Sequence, residues 1–267
     1  KTGLLAAFIL AISPMHIYYS REVRMYSMVA LTVLLAVYYF IKALRYGKLR
    51  FWFAYLVFNL VSIYVHSMTI FILLAEVIFF LIYCKKYRNL FKRWLLVHVI
   101  LFLFLIPWLI NVISLSRFIF MNGEKYFGIP NWAGQVTYKN IFYTLKNFSA
   151  GYNVTGVVYI PATLIFLILL TWGIIKKQKE ERQEFWAVFF CFLIPIVSMF
   201  LISKIKVWYV DRYVLPSALF YYLLVALGLS KLRNKYVIPI LCSIAILSGC
   251  GIINYYRDIL PDRKTCV

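Results

Sequence analysis

Acidic residues are scarce in this chain: 9 Asp and Glu stand against 29 Lys and Arg among 267 residues. All charged side chains together make up only 14% of it. So little charge, with 64% hydrophobic residues, excludes a soluble domain of this length. Cysteine is sparse as well. Cys84, Cys191, Cys242, Cys250 and Cys266 have no CxxC spacing and no accompanying His cluster. That excludes a disulfide framework and a metal-ligand set, and most of these thiols fall in apolar runs, where they pack as small hydrophobes. There is no Gly-rich phosphate loop, no Walker pattern, no low-complexity segment and no evident internal repeat.

What is present is a succession of apolar runs near the ~18–20 residues that cross a bilayer. About nine segments are expected: 4–17, 25–43, 51–66, 67–83, 94–113, 157–175, 186–203, 213–230 and 236–253. The apolar stretch 51–83 would be roughly 50 Å long as one helix, so a turn near His66-Ser67 divides it. The first segment is short and meets Pro14, which predicts a tilted or partly interfacial element. The expected fold is therefore all-α, a polytopic transmembrane helical bundle with one longer extracytoplasmic loop over 114–156.

Lys and Arg orient the bundle. Residues 42–50, 85–93, 176–182 and 231–235 form short loops dense in both, and such loops stay in the cytoplasm. The net charge of +20 is then topological and does not imply nucleic acid. The loops 18–24, 114–156 and 204–212 fall on the extracytoplasmic side. Tyr18, Tyr19, Tyr38, Tyr39, Trp52, Trp94, Trp108, Trp172, Trp186, Trp208 and Tyr209 mark the boundaries as an aromatic belt.

Against that orientation the run Ser20-Arg21-Glu22-Val23-Arg24-Met25-Tyr26 is anomalous, because it puts positive charge on the extracytoplasmic side. Arg21, Arg24, Lys204, Lys206 and Arg212 all fall near that face, at the ends of different segments. If the ends converge they make a cationic pocket for a lipid phosphate; otherwise each meets lipid headgroups or pairs with Glu22 and Asp211. Glu22 is open to three roles: ion-pair partner of its neighbouring arginines, general base, or metal ligand. Adjacent guanidiniums favour its ionised form and hence the first role. His66, at the turn between two spans, can donate to a phosphate or sugar or serve structurally. Glu76, inside a span, reads as a polar group bonded to a neighbouring helix, with a proton-transfer role as the alternative. Asn147-Phe148-Ser149 and Asn153-Val154-Thr155 match the N-glycosylation acceptor pattern. Turn signals stand at Asn122-Gly123, Gly128-Ile129-Pro130-Asn131-Trp132 and Phe148-Ser149-Ala150-Gly151-Tyr152.

Ser13-Pro14-Met15-His16-Ile17-Tyr18-Tyr19-Ser20-Arg21-Glu22-Val23-Arg24-Met25-Tyr26-Ser27 resembles the SPxxIxYSQExRMYS block of GT-C type polytopic glycosyltransferases. The likeness is to family 39 and its bacterial relatives, the protein mannosyltransferase-like and aminoarabinose transferase-like proteins. Tyr64-Val65-His66-Ser67 is similar to their YxH turn, and Asp211-Arg212-Tyr213-Val214-Leu215-Pro216 to their xRYxLPxxP element. The resemblance implies transfer of a sugar from a polyprenyl-phosphate donor to a lipid, glycan or protein acceptor, at the extracytoplasmic face of what reads as a bacterial plasma membrane. It implies that Arg24, Tyr26, Arg212 and Tyr213 lie near the donor phosphate and Glu22 near the active site. The family's catalytic acid is expected in a first outer loop upstream of Lys1, so the chain reads as an N-terminally truncated member. No cofactor is indicated, and a divalent metal is left open. A lipid flippase or secondary transporter, and a non-catalytic binder of lipid-linked sugars, are the competing classes.

Overall fold

A computed structural model describes residues 1–22, 24–126, 136–176, 182–205 and 209–259. Among them every regular element is helical. The chain opens with α1 (Thr2–Ala11) and α2 (Pro14–Ser20), then α3 (Tyr26–Tyr46), α4 (Leu49–Val65) and α5 (Ile70–Ile82). These are followed by α6 (Phe91–Tyr126), α7 (Tyr138–Ala150), α8 (Gly156–Ile175), α9 (Arg182–Ile205), α10 (Leu215–Ser230) and α11 (Asn234–Asn254). A helix satisfies its backbone groups internally, which is what an apolar run needs in lipid.

Six helical stretches are long and apolar enough to cross a membrane, and α1 with α2, bent by 62°, would add a seventh. The chain is thus an integral membrane protein. The expected count of nine is not established. The difference lies in α4 and α5, which are apolar but shorter than a full span, and are joined through His66 and a 3₁₀ turn over Ser67–Thr69 where the sequence predicts the division. The expected loop 114–156 needs a larger correction. Helix α6 continues to Tyr126 and α7 fills Tyr138–Ala150, while Gly128-Ile129-Pro130-Asn131-Trp132 lies outside the described residues.

Successive helices alternate in direction and so separate two ends of the bundle. One, the basic end, gathers Lys1, Arg45, Lys86, Gln183 and Asn234: Lys1 donates to Asn234 over 2.7 Å, and Arg45 pairs with Glu184 over 2.6 Å. The other, the site end, gathers the C-terminus of α2, the start of α3, His66, α7 and the start of α10.

Helix α10 is the axis, with 78% of its span residues buried, against 17% for α6, which faces outward. Its small residues explain the difference. Gly228 lies against the backbone of α8, and a Cβ there would overlap the Leu169 carbonyl; a Cβ added to Gly173 of α8 would in return lie 3.1 Å from Gly228 N. Small residues let membrane helices meet backbone to backbone, where dispersion replaces the hydrophobic effect as the source of association. A second core near the basic end packs Phe40, Trp52, Tyr55, Phe80 and Trp94. Trp94 stacks on Phe80 with ring centroids 4.4 Å apart. Trp52, Trp94 and Tyr19 are buried within the protein, which corrects the belt assignment for these three; Trp208 lies outside the described residues.

The bend between α1 and α2 is built locally. Pro14 starts α2, where its missing N–H costs nothing, and the Ser13 hydroxyl caps it by accepting from His16 N–H at 3.3 Å. Ser13 Oγ also lies 2.6 Å from the Tyr222 hydroxyl, which donates to the Phe148 carbonyl over 2.8 Å. The bend is thereby tied to α10 and α7.

Replacing Gly228 by Ala is expected to lower stability by about 1–3 kcal/mol, the usual range for overpacking. Gly249→Ala, where a Cβ meets open space, is expected to leave it unchanged. Thermal unfolding of both variants in one detergent checks the contrast.

Candidate functional site at the end of the bundle

The first residues of α10's entrance turn organise this end. Asp211 and Arg212 lie in a 3₁₀ turn, Asp211–Val214, and their side chains engage different partners. Asp211 engages α7: its Oδ1 accepts from Thr144 Oγ1 at 2.8 Å and its Oδ2 from Asn147 Nδ2 at 2.5 Å. Thr144 also meets the Tyr209 hydroxyl at 2.8 Å. Burial and the Asp211 charge act on the neighbours outside the spans. Burial raises the Tyr209 hydroxyl to about 12, outweighing its bond to Thr144. Burial first, then the field of Asp211, holds the Tyr152 hydroxyl well above its ordinary value, with a smaller push from Glu22. Burial lowers Lys146, although Asp211 opposes the shift.

Asn147 is buried and spent on this carboxylate. The acceptor pattern at Asn147-Phe148-Ser149 is therefore a structural element of α7 and has no accessible amide to modify.

Arg212 engages the rings. Its guanidinium lies 5.3 Å from the Tyr213 ring centroid, and its Nε is buried without a hydrogen-bond partner among the described residues. His66 connects the Tyr213 ring to Tyr26, with both centroids 6.0 Å from its own. The His66 Nδ1 accepts from Met68 N–H at 3.3 Å, so in the neutral ring the proton sits on Nε2, leaving a donor. Burial first, then the Arg212 charge, lowers the His66 pKa and keeps that neutral form.

From Tyr26 the rings continue. Tyr26 meets Tyr19 at 4.8 Å, Tyr19 meets Tyr18 at 4.9 Å, Tyr18 meets Tyr255 at 5.3 Å, and Tyr255 meets Tyr256 at 5.2 Å. Arg21 lies 4.8 Å over the Tyr256 ring. A row of aromatic faces thus crosses the end of the bundle with one guanidinium at each extremity. The Tyr152 hydroxyl is bonded to that of Tyr19 at 2.9 Å and stands beside the middle of the row. Edge and tilted contacts of this kind are worth about 0.5–1.5 kcal/mol per pair beyond burial, so the row is a rigid surface.

Tyr26, His66, Arg212 and Tyr213, taken from three separate motifs of the sequence, are therefore brought together. Asp211 is adjacent but occupied by α7. Glu22 is half-buried close enough to Tyr19 and Tyr152 for its charge to act on them. Arg24 is exposed, its backbone N–H bonded to the Glu22 carbonyl at 2.7 Å. Arg21 is engaged at the far end of the row, and Lys204 donates to the Val136 carbonyl at 2.7 Å. Lys206 lies outside the described residues. Glu76 is remote, buried in α5, with Oε2 accepting from Asn59 of α4 at 3.3 Å and Oε1 without a partner among the described residues. No cluster of three or more metal-ligating side chains occurs among the described residues.

Sequence reading alone missed Thr144, Asn147, Tyr255 and Tyr256. Thr144 and Asn147 carried a readable signal, since their spacing of three puts both on one face of a helix. The two tyrosines carried none, because their position depends on how the last helix docks.

Comparison with family models, with curated proteins and with solved structures returns no match.

Two outcomes follow from the geometry. Asp211→Ala leaves the donors of Thr144 and Asn147 without their acceptor and is expected to cost about 1–3 kcal/mol in thermal unfolding. His66 binds a proton more readily unfolded than folded, so its contribution falls as pH drops through its ordinary value of 6.5. The wild-type unfolding midpoint should therefore fall more steeply from pH 7 to pH 5 than that of His66→Asn.

Proposed function

We propose that this chain belongs to a membrane glycosyltransferase that moves a sugar from a polyprenyl-phosphate donor to an acceptor at the extracytoplasmic face. The observation that carries the reading is the half-buried Arg212, whose enclosed Nε–H has no hydrogen-bond partner among the described residues and lies beside Tyr213, with His66 and Tyr26 next in the row. An enclosed guanidinium N–H with no acceptor suits an anionic oxygen, since leaving that donor empty costs free energy. The three-part sequence resemblance is independent support for the same residues.

A second feature agrees with a lipid-linked donor. Between α3, α9 and α10 lies a cleft of about 430 Å³ walled by Leu31, Leu34, Val37, Val188, Phe220 and Leu223. Helices α3 and α10 both start at the site end, with Tyr26 and Tyr213 at their heads. A phosphate beside Arg212 would thus have an apolar channel for its prenyl chain along the same two helices.

In the reaction, the acceptor hydroxyl would attack the anomeric carbon from the side opposite the phosphate, inverting the configuration. A carboxylate would take the hydroxyl proton. Asp211 is spent on α7, and among the described side chains Glu22 is the carboxylate near the tyrosines of the row. The C–O bond to phosphate breaks, and Arg212 stabilises the charge that grows on the leaving oxygen. Neutral His66 can donate through Nε2 to the same phosphate or to a sugar hydroxyl. The tyrosine faces offer stacking surfaces for sugar rings.

The test is sugar transfer from polyprenyl-phosphate donors in membranes, with binding of the labelled donor measured in parallel. Arg212→Ala is expected to reduce transfer by about 10²–10³-fold, the usual loss for a group that stabilises transition-state charge. Arg233→Ala, at an exposed position of the opposite end, should leave transfer unaffected. Donor binding without transfer would move the reading to a non-catalytic binder of lipid-linked sugars. Absence of both would refute it.

A further inference from the structure

A polar cavity lies at the basic end, away from the site above. It measures about 320 Å³, within the ~300–1,000 Å³ of small-molecule sites. Its polar wall is Arg45 from the end of α3, Lys86 and Tyr87 from the turn after α5, and Gln183 with Glu184 from the first turn of α9. Its inner wall is apolar, with Leu44 and Phe79. A polar mouth above an apolar floor, at the end of a membrane bundle, matches an amphiphile whose head is hydrogen-bonded and whose glycerol region meets hydrocarbon.

The charges decide which head. Among the described lining residues, Arg45 and Lys86 bring two positive charges and Glu184 one negative, leaving a single positive charge to be balanced. The Arg45–Glu184 pair is 2.6 Å long with side chains 60% and 33% exposed, so it is worth at most about 1 kcal/mol and can be shared with a ligand. It uses one guanidinium nitrogen of Arg45, which has five N–H donors in all. Lys86 gives one bond to Gln183 Oε1, at 2.6 Å, and Tyr87 gives its hydroxyl proton to the same oxygen at 2.7 Å. That oxygen is saturated, while the Gln183 amide N–H groups and the remaining donors of Arg45 and Lys86 make no hydrogen bond among the described residues. A set rich in donors with one net positive charge fits a singly charged phosphodiester. Glu184 disfavours a doubly charged phosphate monoester at the same place.

We infer that the cavity between the basic ends of α3, α5 and α9 binds the phosphodiester headgroup of a glycerophospholipid from the adjoining leaflet. The bound lipid bridges Arg45 and Lys86 and so ties α3 and α5 to α9. This site is independent of the transferase reading, since it shares no residue with the cluster around Arg212.

The experiment is native mass spectrometry of the full chain released from detergent containing equal amounts of phosphatidylglycerol, phosphatidic acid and diacylglycerol with matched acyl chains. Phosphatidylglycerol should be retained about tenfold over diacylglycerol, equivalent to about 1.4 kcal/mol. The Arg45→Gln/Lys86→Gln double variant should lose that preference. Arg233→Gln/Lys235→Gln, which removes as much charge from the same end outside the cavity, should keep it. Glu184→Gln should raise retention of phosphatidic acid, a gain that misfolding cannot mimic. Equal retention by wild type and the Arg45/Lys86 variant would overturn the inference.

Discussion

The hydrogen bonds between α7 and Asp211 are the constraint on which the site end depends. A carboxylate at the head of the most buried helix must be satisfied, because an unpaired charge at that depth costs several kcal/mol. Thr144 and Asn147 satisfy it. In doing so they draw α7 across the bundle's end, from the neighbourhood of Phe200 in α9, where Tyr138 packs at 5.5 Å, to Gly251 in α11, where the Ala150 carbonyl makes its close approach. With Asp211 fixed, the next residue along the turn has its direction fixed too. Arg212 is delivered to the aromatic side because its neighbour is held on the other.

The aromatic row shows how a mostly apolar chain builds a polar-competent surface with few charges. Its tyrosines contribute ring faces that pack in the protein, and some of the hydroxyls find partners there. The Tyr19 and Tyr152 hydroxyls bond to each other, and Tyr222 serves both Ser13 and the Phe148 carbonyl. With acidic residues so rare, ring faces rather than carboxylates hold the two terminal guanidiniums, Arg21 over Tyr256 and Arg212 over Tyr213.

The helical class, the division at His66 and the gathering of the dense Lys and Arg turns 42–50 and 85–93 at one end were legible because hydropathy and charge act locally. The joining of Tyr26, His66, Arg212 and Tyr213 was legible only as three motifs that could be read together. Three things were not readable. Belt assignments fail where a tryptophan has another helix to pack against, as Trp52 and Trp94 do. The long loop proved largely helical because α7's polar stripe is matched to a carboxylate 64 residues away from Asn147, a pairing no local pattern records. Full spans and shorter apolar helices differ only by a few residues, so a count made from apolar runs admits α4 and α5 on equal terms with the rest.

The bundle also closes its beginning upon its end. Thr2 bonds Ser230, Lys1 bonds Asn234, and Gly251 sits against Pro14 with room for no side chain between them. Contacts between residues more than two hundred positions apart form late, because a long loop must be closed before they reward it. For a ribosome inserting this chain helix by helix, the face of Tyr18 stays uncovered until Tyr255 has been made. Until α11 docks, the chain is threaded through the membrane with Tyr255 and Tyr256 still missing from its aromatic row.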